Sequence, residues 1–313
     1  MKVSQLRCRF CGKEAFYRRP YEGIALCRTC FLEDIEKRIR RTISRFDMLK
    51  FDDRIAVAVS GGKDSLTLLR VLRKIEKRFP KATLTAVTVD EGIRGYRAEA
   101  VKLAQESCKE LGVDHVVVSF RELFGKTLDQ IVRSKKELTP CSYCGVLRRR
   151  AIHMAAKEAK ATKIATAHNL DDEVQTVLLN IFHGDAKRIA RVKPVLVDPT
   201  GRFLQRVKPL CEIPEKEVAL YAHLSGVRFQ TCPCPYLETA LRNDIREMLN
   251  RIEERHPGTT FTIFRSIERL RDSLKTSVAR AELRNCLQCG EPTTGFVCEA
   301  CKMLDRTVEC LRT

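Results

Sequence analysis

The stretch RIAVAVSGGKDSLTLLRVLRK, residues 54–74, decides the fold of this chain. Residues 54–60 are an apolar run of strand length, and residues 66–77 have the apolar spacing of a helix. The glycines of SGGKDS let backbone N–H groups approach an anion, and the start of a helix adds partial positive charge. The stretch therefore predicts a phosphate-binding loop between a strand and a helix. Its candidate ligands are Ser60, Gly61, Gly62, Lys63, Asp64 and Ser65, with the Asp64 carboxylate available to Mg²⁺.

The residues after this loop repeat the alternation of strand and helix. Such alternation is typical of an α/β fold with a parallel sheet covered by helices on both faces. The ligand of such a sheet lies at the carboxyl ends of its strands. We expect this core over residues 53–185, and a helical part over 186–280 that completes the catalytic domain. The predicted strands are 83–89, 113–120 and 163–167, and the predicted helices are 97–111, 151–160 and 171–182.

Both ends of the chain are rich in cysteine and are expected to bind zinc. Each end carries two CxxC pairs, and four thiolates fill the tetrahedral shell of a structural Zn²⁺. Unligated cysteines and redox-active pairs are the alternatives. We expect an N-terminal zinc finger over 1–32, a basic linker helix over 33–52 and a C-terminal zinc finger over 281–313. The predicted ligands are Cys8, Cys11, Cys27 and Cys30 for the first zinc, and Cys286, Cys289, Cys298 and Cys301 for the second.

The composition narrows the class of protein. Fifty-eight Lys and Arg against 40 Asp and Glu give 313 residues a formal net charge of +18. This favours a polyanionic partner such as nucleic acid over a merely basic surface. The basic face of the helix at 33–50 fits either RNA contact or a solvated surface. No long apolar window or secretory signal occurs, so we expect a cytoplasmic protein with reduced thiols and no membrane contact.

Another pair of cysteines lies inside the core. The segment PCSYCG at residues 140–145 is predicted to be a loop ahead of a helix that begins at Val146, and TCPCPY at 231–236 could supply further ligands. Three thiolates leave one iron of a cubane cluster free, whereas zinc usually takes a fourth protein ligand. From spacing alone, an iron–sulfur cluster, a third zinc and a catalytic dithiol all remain open. The candidate ligands are Cys141 and Cys144, with Cys232 and Cys234.

SGGKDS resembles the PP-loop of the N-type ATP pyrophosphatases, which split ATP between its α and β phosphates and adenylate a carbonyl oxygen. With PCSYCG, AHNLDD at 167–172 and the later Cys-Pro-Tyr followed by Arg242, the chain resembles the tRNA 2-thiouridine synthetases over essentially its whole length. The zinc ends favour the T-loop and cytosolic wobble-uridine thiolases. In that family three cysteines hold a [4Fe-4S] cluster whose unique iron carries the sulfur. The resemblance implies Cys141, Cys144 and Cys234 as those ligands, with Cys232 as the alternative third.

The resemblance also implies roles for residues of the core. Asp172 matches an acidic residue implicated in catalysis and, with Asp64, would hold Mg²⁺. Arg148 falls where relatives have a basic residue facing the phosphates, so Arg148 and Lys63 would neutralise charge on ATP. His168 is either a catalytic acid or a partner within its own loop. The implied nucleotide contacts are Val87 and Val89 beside the adenine, and the backbone of Ala167.

The implied activity is that of an ATP-dependent tRNA uridine 2-sulfurtransferase. The enzyme would adenylate the C2 oxygen of a uridine, release pyrophosphate and AMP, and replace the oxygen with sulfur. The Asn-Leu-Asp-Asp sequence favours uridine 54 of the T-loop over wobble uridine 34. The alternatives are a cluster-free tRNA modifier that uses a persulfide, a non-enzymatic zinc RNA-binding protein and an amide-forming synthetase. The implied partners are tRNA, a ubiquitin-like sulfur carrier or free sulfide, and a second copy of the chain; the implied cofactors are ATP, Mg²⁺, the [4Fe-4S] cluster and two Zn²⁺.

Overall fold

The computed structural model describes residues 6–134, 137–198, 200–236, 241–276 and 283–309. Short strands and long helices alternate along the chain. The strands are β1 Tyr17–Arg19, β2 Ile24–Leu26, β3 Arg54–Ala58, β4 Thr83–Asp90, β5 Asp114–Ser119, β6 Lys163–Ala165, β7 Val195–Leu196, β8 Gln205–Val207, β9 Arg284–Asn285 and β10 Pro292–Thr293. The helices are α1 Arg28–Arg45, α2 Lys63–Glu76, α3 Arg97–Leu111, α4 Phe120–Phe124, α5 Leu128–Ser134, α6 Pro140–Glu158, α7 Leu170–Phe182, α8 Ala186–Ala190, α9 Glu215–Leu224, α10 Leu241–Arg255, α11 Thr259–Thr276 and α12 Glu299–Glu309.

Six strands form one sheet in the order β5-β4-β3-β6-β8-β7. Every neighbouring pair is parallel except β7 and β8, which are antiparallel at one edge. The predicted parallel sheet is confirmed. The antiparallel edge was not expected, because a strand of two residues carries no hydrophobic period.

Helices cover both faces of this sheet. Ala56 packs with Val87 and with Ala155 of α6, whereas Val57 belongs to a separate apolar group that includes Leu66 of α2. Successive strand residues face opposite sides of a sheet, so adjacent positions of β3 are buried under different helices. The centre of the sheet is therefore dry on both faces, and the phosphate loop follows β3, a central strand with three buried residues.

Both cysteine-rich ends are docked on the catalytic core. In the N-terminal cysteine module, residues 7–32, β1 and β2 pair as a hairpin, and Arg19 binds Glu217 of α9 at 2.6 Å. In the C-terminal cysteine module, residues 284–309, Glu291 binds Arg150 of α6 at 2.9 Å. The described residues include no helix with the length and hydropathy needed to cross a bilayer.

Candidate active site

The loop between β3 and α2 is held by its own serines. Ser60 N donates to Ser65 Oγ at 3.0 Å, and Ser65 Oγ donates to Gly62 O at 2.9 Å. Gly61 has a φ of 85°, and a Cβ there would lie 2.3 Å from the carbonyl oxygen of Ala100. Only glycine fits that position, because α3 packs directly against the loop backbone.

Lys63, at the start of α2, lies between two carboxylates. Its Nζ is 2.8 Å from Oδ2 of Asp64 and 2.7 Å from Oε1 of Glu215. Although burial opposes it, these carboxylates raise the pKa of Lys63, so the ammonium group stays charged. Oδ1 of Asp64 accepts a hydrogen bond from Nδ2 of Asn169 at 3.2 Å, which links the loop to the start of α7.

Asp172 lies in the first turn of α7 through a capping box with Asn169. Asp172 N donates to Asn169 Oδ1 at 2.9 Å, and Asn169 N donates to Asp172 Oδ2 at 3.2 Å. Burial and the nearby Asp64 carboxylate raise the pKa of Asp172 to about 7, although Arg242 opposes the shift. Two neighbouring carboxylates in one cleft form a donor set suited to a divalent cation.

A cleft of about 820 Å³ opens at the carboxyl edge of the sheet. It connects the phosphate loop, the C-terminal end of β4, the middle of α6 and the C-terminal cysteine module. Gly61 and Lys63 belong to the same loop but do not line this cleft. The sequence-predicted residues that line it are Ser60, Gly62, Asp64, Ser65, Val87, Val89, Arg148, Ala167 and Asp172.

The predicted loop at residues 140–145 is wrong, because α6 already begins at Pro140. Thr139 caps the helix by accepting a hydrogen bond from Ser142 N, and Pro140 occupies its first turn. Proline there loses no hydrogen bond, since the first N–H groups of a helix have no partner. Cys141 and Cys144 are therefore three residues apart on one helix, a spacing that puts both thiols on the same side.

Cys234 lies beside this side of α6. Cys144, Cys234 and Tyr236 belong to one apolar group, and Cys141 Sγ is 3.7 Å from the carbonyl oxygen of Tyr236. Cys232 is exposed and is not a member of that group.

The segment that carries Cys234 is also tied to the phosphate loop. Gln230 N donates to Gly61 O at 3.0 Å, and Nε2 of Gln230 donates to Tyr96 O at 2.6 Å. These bonds fix the chain only a few residues before Cys234. Cys234 consequently lies only four residues along the chain from a residue bonded to the phosphate loop.

The terminal cysteine sets are more compact than the central one. In each of them the four Sγ atoms lie within 4.8 Å of one another, with Cys11 and Cys27 at 3.6 Å and Cys289 and Cys298 at 3.7 Å. A tetrahedral zinc with Zn–S bonds of about 2.3 Å requires this spacing. Cys141, Cys144 and Cys234 are not such a compact group among the described residues. A wider separation suits a cubane cluster, in which each cysteine binds a different iron.

Backbone N–H groups lower the pKa of one thiol in each terminal cysteine set. Burial raises the pKa of Cys8, but backbone N–H groups of Cys27, Phe10 and Cys11 outweigh it and lower this pKa to about 6. In the C-terminal module the N–H of Cys298 donates to Cys286 Sγ at 3.2 Å, and such contacts lower the pKa of Cys286 to about 6. A thiol that ionises readily is ready to bind metal.

Sequence reasoning missed Glu91, which organises the cysteine end of the cleft. Its buried carboxylate lies 2.6 Å from Arg97 Nε and 2.5 Å from Arg148 Nε. Arg148 Nη2 in turn donates to Cys144 Sγ at 2.9 Å. Burial raises the pKa of Cys144 to about 11, and Arg148 opposes this shift. No sequence signal marks Glu91, because it follows β4 in what reads as an ordinary turn before a glycine.

His168 is bound within its own loop. Its Nδ1 lies 2.9 Å from Oγ1 of Thr166. Loss of solvation in the cleft, together with Lys208 and Arg242, lowers the pKa of His168 to about 3. A neutral imidazole at physiological pH favours the role of a partner within the loop over that of a catalytic acid.

Comparison with known proteins agrees with this arrangement. Residues 32–253 match the family described as the PP-loop domain, and residues 7–32 match the N-terminal LIM domain of 2-thiouridine synthetase TtuA. The chain is 37% identical over 316 residues to the tRNA 2-thiolation protein NcsA of Haloferax volcanii. This alignment covers 96% of the present chain and 98% of the relative. The chain is 34% identical over 297 residues to the tRNA-5-methyluridine(54) 2-sulfurtransferase of Pyrococcus horikoshii, covering 95% and 93%.

A solved structure extends the likeness to three dimensions. The U34-tRNA thiolase NcsA from Methanococcus maripaludis, with its [4Fe-4S] cluster, superposes with a TM-score of 0.84 at 34% identity. The match covers 96% of each chain. With the PP-loop, the cysteine modules and the shared cleft in place, this chain belongs to the PP-loop family of tRNA 2-thiolation sulfurtransferases.

Proposed function

We propose that this protein is a tRNA uridine 2-sulfurtransferase that uses ATP and a [4Fe-4S] cluster. The observation that carries the proposal is the bond between Gln230 N and Gly61 O, at 3.0 Å. This bond connects the segment that carries Cys234 to the phosphate-binding loop between β3 and α2. An adenylating site next to a set of metal-binding thiols is what replacement of a uridine oxygen by sulfur requires.

The phosphate loop would bind and cleave ATP. Backbone N–H groups at the start of α2 would hold the β and γ phosphates, and Lys63 would exchange Glu215 for a phosphate oxygen. Asp64 and Asp172 would hold Mg²⁺, as the donor set of two neighbouring carboxylates supports. The uridine C2 oxygen would attack the α phosphorus, the bond to the bridging oxygen would break, and pyrophosphate would leave. The oxygen then departs with AMP instead of as hydroxide.

Cys141, Cys144 and Cys234 would hold the [4Fe-4S] cluster. Three soft thiol donors, of which Cys144 and Cys234 lie in an apolar environment, fit such a group. When bound, the cluster would present sulfide from the sulfur donor to the activated C2 carbon, with no change of redox state. The Arg148 guanidinium, which donates to Cys144 Sγ at 2.9 Å, would stabilise the thiolate and hold this end of the cleft in place.

The remaining partners follow from charge and chemistry. The terminal cysteine sets would each hold one structural Zn²⁺. The basic face of α1, together with both modules, would contact the tRNA backbone with a salt-dependent affinity. We propose a ubiquitin-like carrier or free sulfide as sulfur donor, a homodimer as the working assembly, and the cytoplasm as the compartment that keeps the thiols reduced.

Uridine 54 stays the predicted target, and uridine 34 is the second candidate. The likeness to an NcsA structure described as a U34-tRNA thiolase favours the second. A relative named for uridine 54 matches at the same 34% identity, so identity does not discriminate between the two.

The test is in vitro thiolation under anaerobic conditions. Protein with a reconstituted cluster, ATP, sulfide and tRNA should give 2-thiouridine and AMP, detected by mass spectrometry of the nucleosides. Transcripts that carry cytidine at position 34 or at position 54 identify the target, because only the correct replacement abolishes product. Removal of iron by a chelator that leaves zinc bound should end thiolation. Full activity of the iron-free protein would favour the persulfide mechanism instead.

A further inference from the structure

Two arginines in the cleft have no carboxylate partner among the residues that the structure describes. Arg149 on α6 and Arg206 on β8 both line the cleft, and neither forms an ion pair with any residue in the described part of the chain. The other cationic side chains of the lining each lie 2.5 to 3.8 Å from a carboxylate oxygen, and two of them share the carboxylate of Glu91: Arg97 and Arg148 share it, and Arg150, Lys208 and Arg242 have their own partners. Among the described residues, Arg149 and Arg206 are therefore the arginines of the cleft that lie beside no carboxylate.

The electrostatics of the pair favour an anionic ligand. Burial in the cleft, and then the neighbouring Arg206 and Arg148, lower the pKa of Arg149. Burial likewise lowers the pKa of Arg206. Neighbouring cations that have lost part of their hydration repel each other, so their charged forms are destabilised. A bound anion removes that penalty, and guanidinium groups form paired hydrogen bonds with phosphate oxygens.

The position of the pair separates it from the ATP phosphates. Arg206 lies on β8, which is separated from β3 and its loop by β6. Two strand spacings amount to about 10 Å. On the other side, the Arg149 guanidinium lies near the cysteines, since a Cβ at Gly145 would be 3.5 Å from its Nη1. An anion held by the pair would therefore share the cleft with the phosphate loop without occupying the loop itself.

We propose that Arg149 and Arg206 bind a phosphodiester that flanks the target uridine of the tRNA. This inference rests on the proposed function, because it assigns a subsite to its nucleic-acid substrate. The target base must leave its stack to reach the cleft, and extrusion costs a few kcal/mol in such enzymes. A clamp on the adjacent phosphate holds the extruded nucleotide without reading its sequence.

The experiment compares Arg149→Gln and Arg206→Gln in the full-length, cluster-loaded protein. Arg228→Gln is the matched control, because this exposed arginine lies outside the cleft and already binds Glu106 at 3.0 Å. Each clamp variant should lower kcat/KM for tRNA about tenfold, the expected loss of a charged hydrogen bond, while KM for ATP and for sulfide changes less than twofold. The slope of log tRNA affinity against log salt concentration should become less steep in each variant, by the amount expected for the loss of about one phosphate contact. Arg228→Gln should stay within twofold of wild type in every assay.

A modified RNA then tests the contact itself. A substrate with an uncharged methylphosphonate at a phosphate flanking the target uridine should react about tenfold more slowly with wild-type protein, but no more slowly with either clamp variant than its unmodified counterpart. The inference would be overturned if, at both flanking phosphates, the methylphosphonate slowed the clamp variants by the same factor as it slows the wild-type protein. A raised KM for ATP or for sulfide would assign the pair to those anions instead. Wild-type protein that forms no 2-thiouridine would refute the proposed function, whereas clamp variants that thiolate at the wild-type rate would refute only this subsite.

Discussion

Replacement of Glu217 by glutamine should loosen the N-terminal cysteine module from the catalytic core. The Glu217 carboxylate is 1% exposed and lies 2.6 Å from both Arg19 Nε and Arg38 Nη1. It also accepts a hydrogen bond from the Tyr21 hydroxyl at 2.9 Å, so it joins β1, α1 and α9. Glutamine keeps the shape of the side chain but leaves both guanidinium groups short of a negative charge.

The magnitude follows from what remains after the substitution. Removing one partner of a buried ion pair typically costs 3–5 kcal/mol. Because Arg19 still binds Asp34 at 2.8 Å, we expect the lower end, about 3 kcal/mol. Local opening of the interface should then become about a hundredfold more frequent. Asp47→Asn is the control, since its pair with Lys50 is exposed and should contribute less than about 1 kcal/mol.

Native-state hydrogen exchange at the amides of α1 measures this opening directly. Zinc release to a chromogenic chelator gives a second readout, because a detached module loses its metal faster. Glu217→Gln should accelerate both, and Asp47→Asn should change neither. A loss below about 1 kcal/mol in Glu217→Gln would refute the reasoning, because the network would then not hold the module.

Three further predictions concern the cleft. Gly61→Ala should destabilise the protein by more than about 2 kcal/mol in thermal unfolding, because its Cβ would lie 2.3 Å from Ala100 O at a φ of 85°. The kcat/KM for ATP should rise with pH through about 7, the pKa to which burial and Asp64 raise Asp172, since the carboxylate is ionised only above that value. Arg148→Gln should reduce the iron retained per chain while zinc stays constant, because Cys144 Sγ loses a charged donor at 2.9 Å.

Matched variants make these predictions sharper. Gly62→Ala should destabilise less than Gly61→Ala, because a Cβ at Gly62 would lie 3.4 Å from Ser60 Oγ. Arg242→Gln should move the pH inflection upward, since Arg242 favours the ionised form of Asp172. A pH-independent kcat/KM between about pH 5.5 and 8 would contradict the role of this carboxylate. Equal iron content in Arg148→Gln and wild type would contradict the role of Arg148.

The phosphate loop and the parallel sheet were predictable because their signals are local. An apolar strand, two glycines and an amphipathic helix are contiguous in the sequence, and so are the CxxC pairs. The structure places α3 at residues 97–111 as expected, with Gly112 in a left-handed conformation after it. The start of α6 was missed although Thr139-Pro140 is a typical helix start, because PCSYCG was interpreted as a metal-binding loop.

What the sequence could not predict depends on contacts between distant segments. Glu91 binds Arg97 and Arg148 only after β4, α3 and α6 have packed together. Likewise, the lack of a carboxylate partner for Arg206 among the described residues becomes visible only when the ion pairs of the other cationic residues in the cleft are known. Spacing also left two candidates for the third cysteine, because Cys232 and Cys234 are only two residues apart.

Iron and sulfide content after anaerobic reconstitution, measured for Cys234→Ser and Cys232→Ser, tests most directly whether three thiols meet beside the nucleotide. Both variants keep the terminal modules, so zinc content serves as the internal control for folding. Cys234→Ser should lose the cluster absorbance and form no 2-thiouridine, whereas Cys232→Ser should retain both. A full cluster and normal thiolation in Cys234→Ser, or their loss in Cys232→Ser alone, would contradict the assignment of the central site.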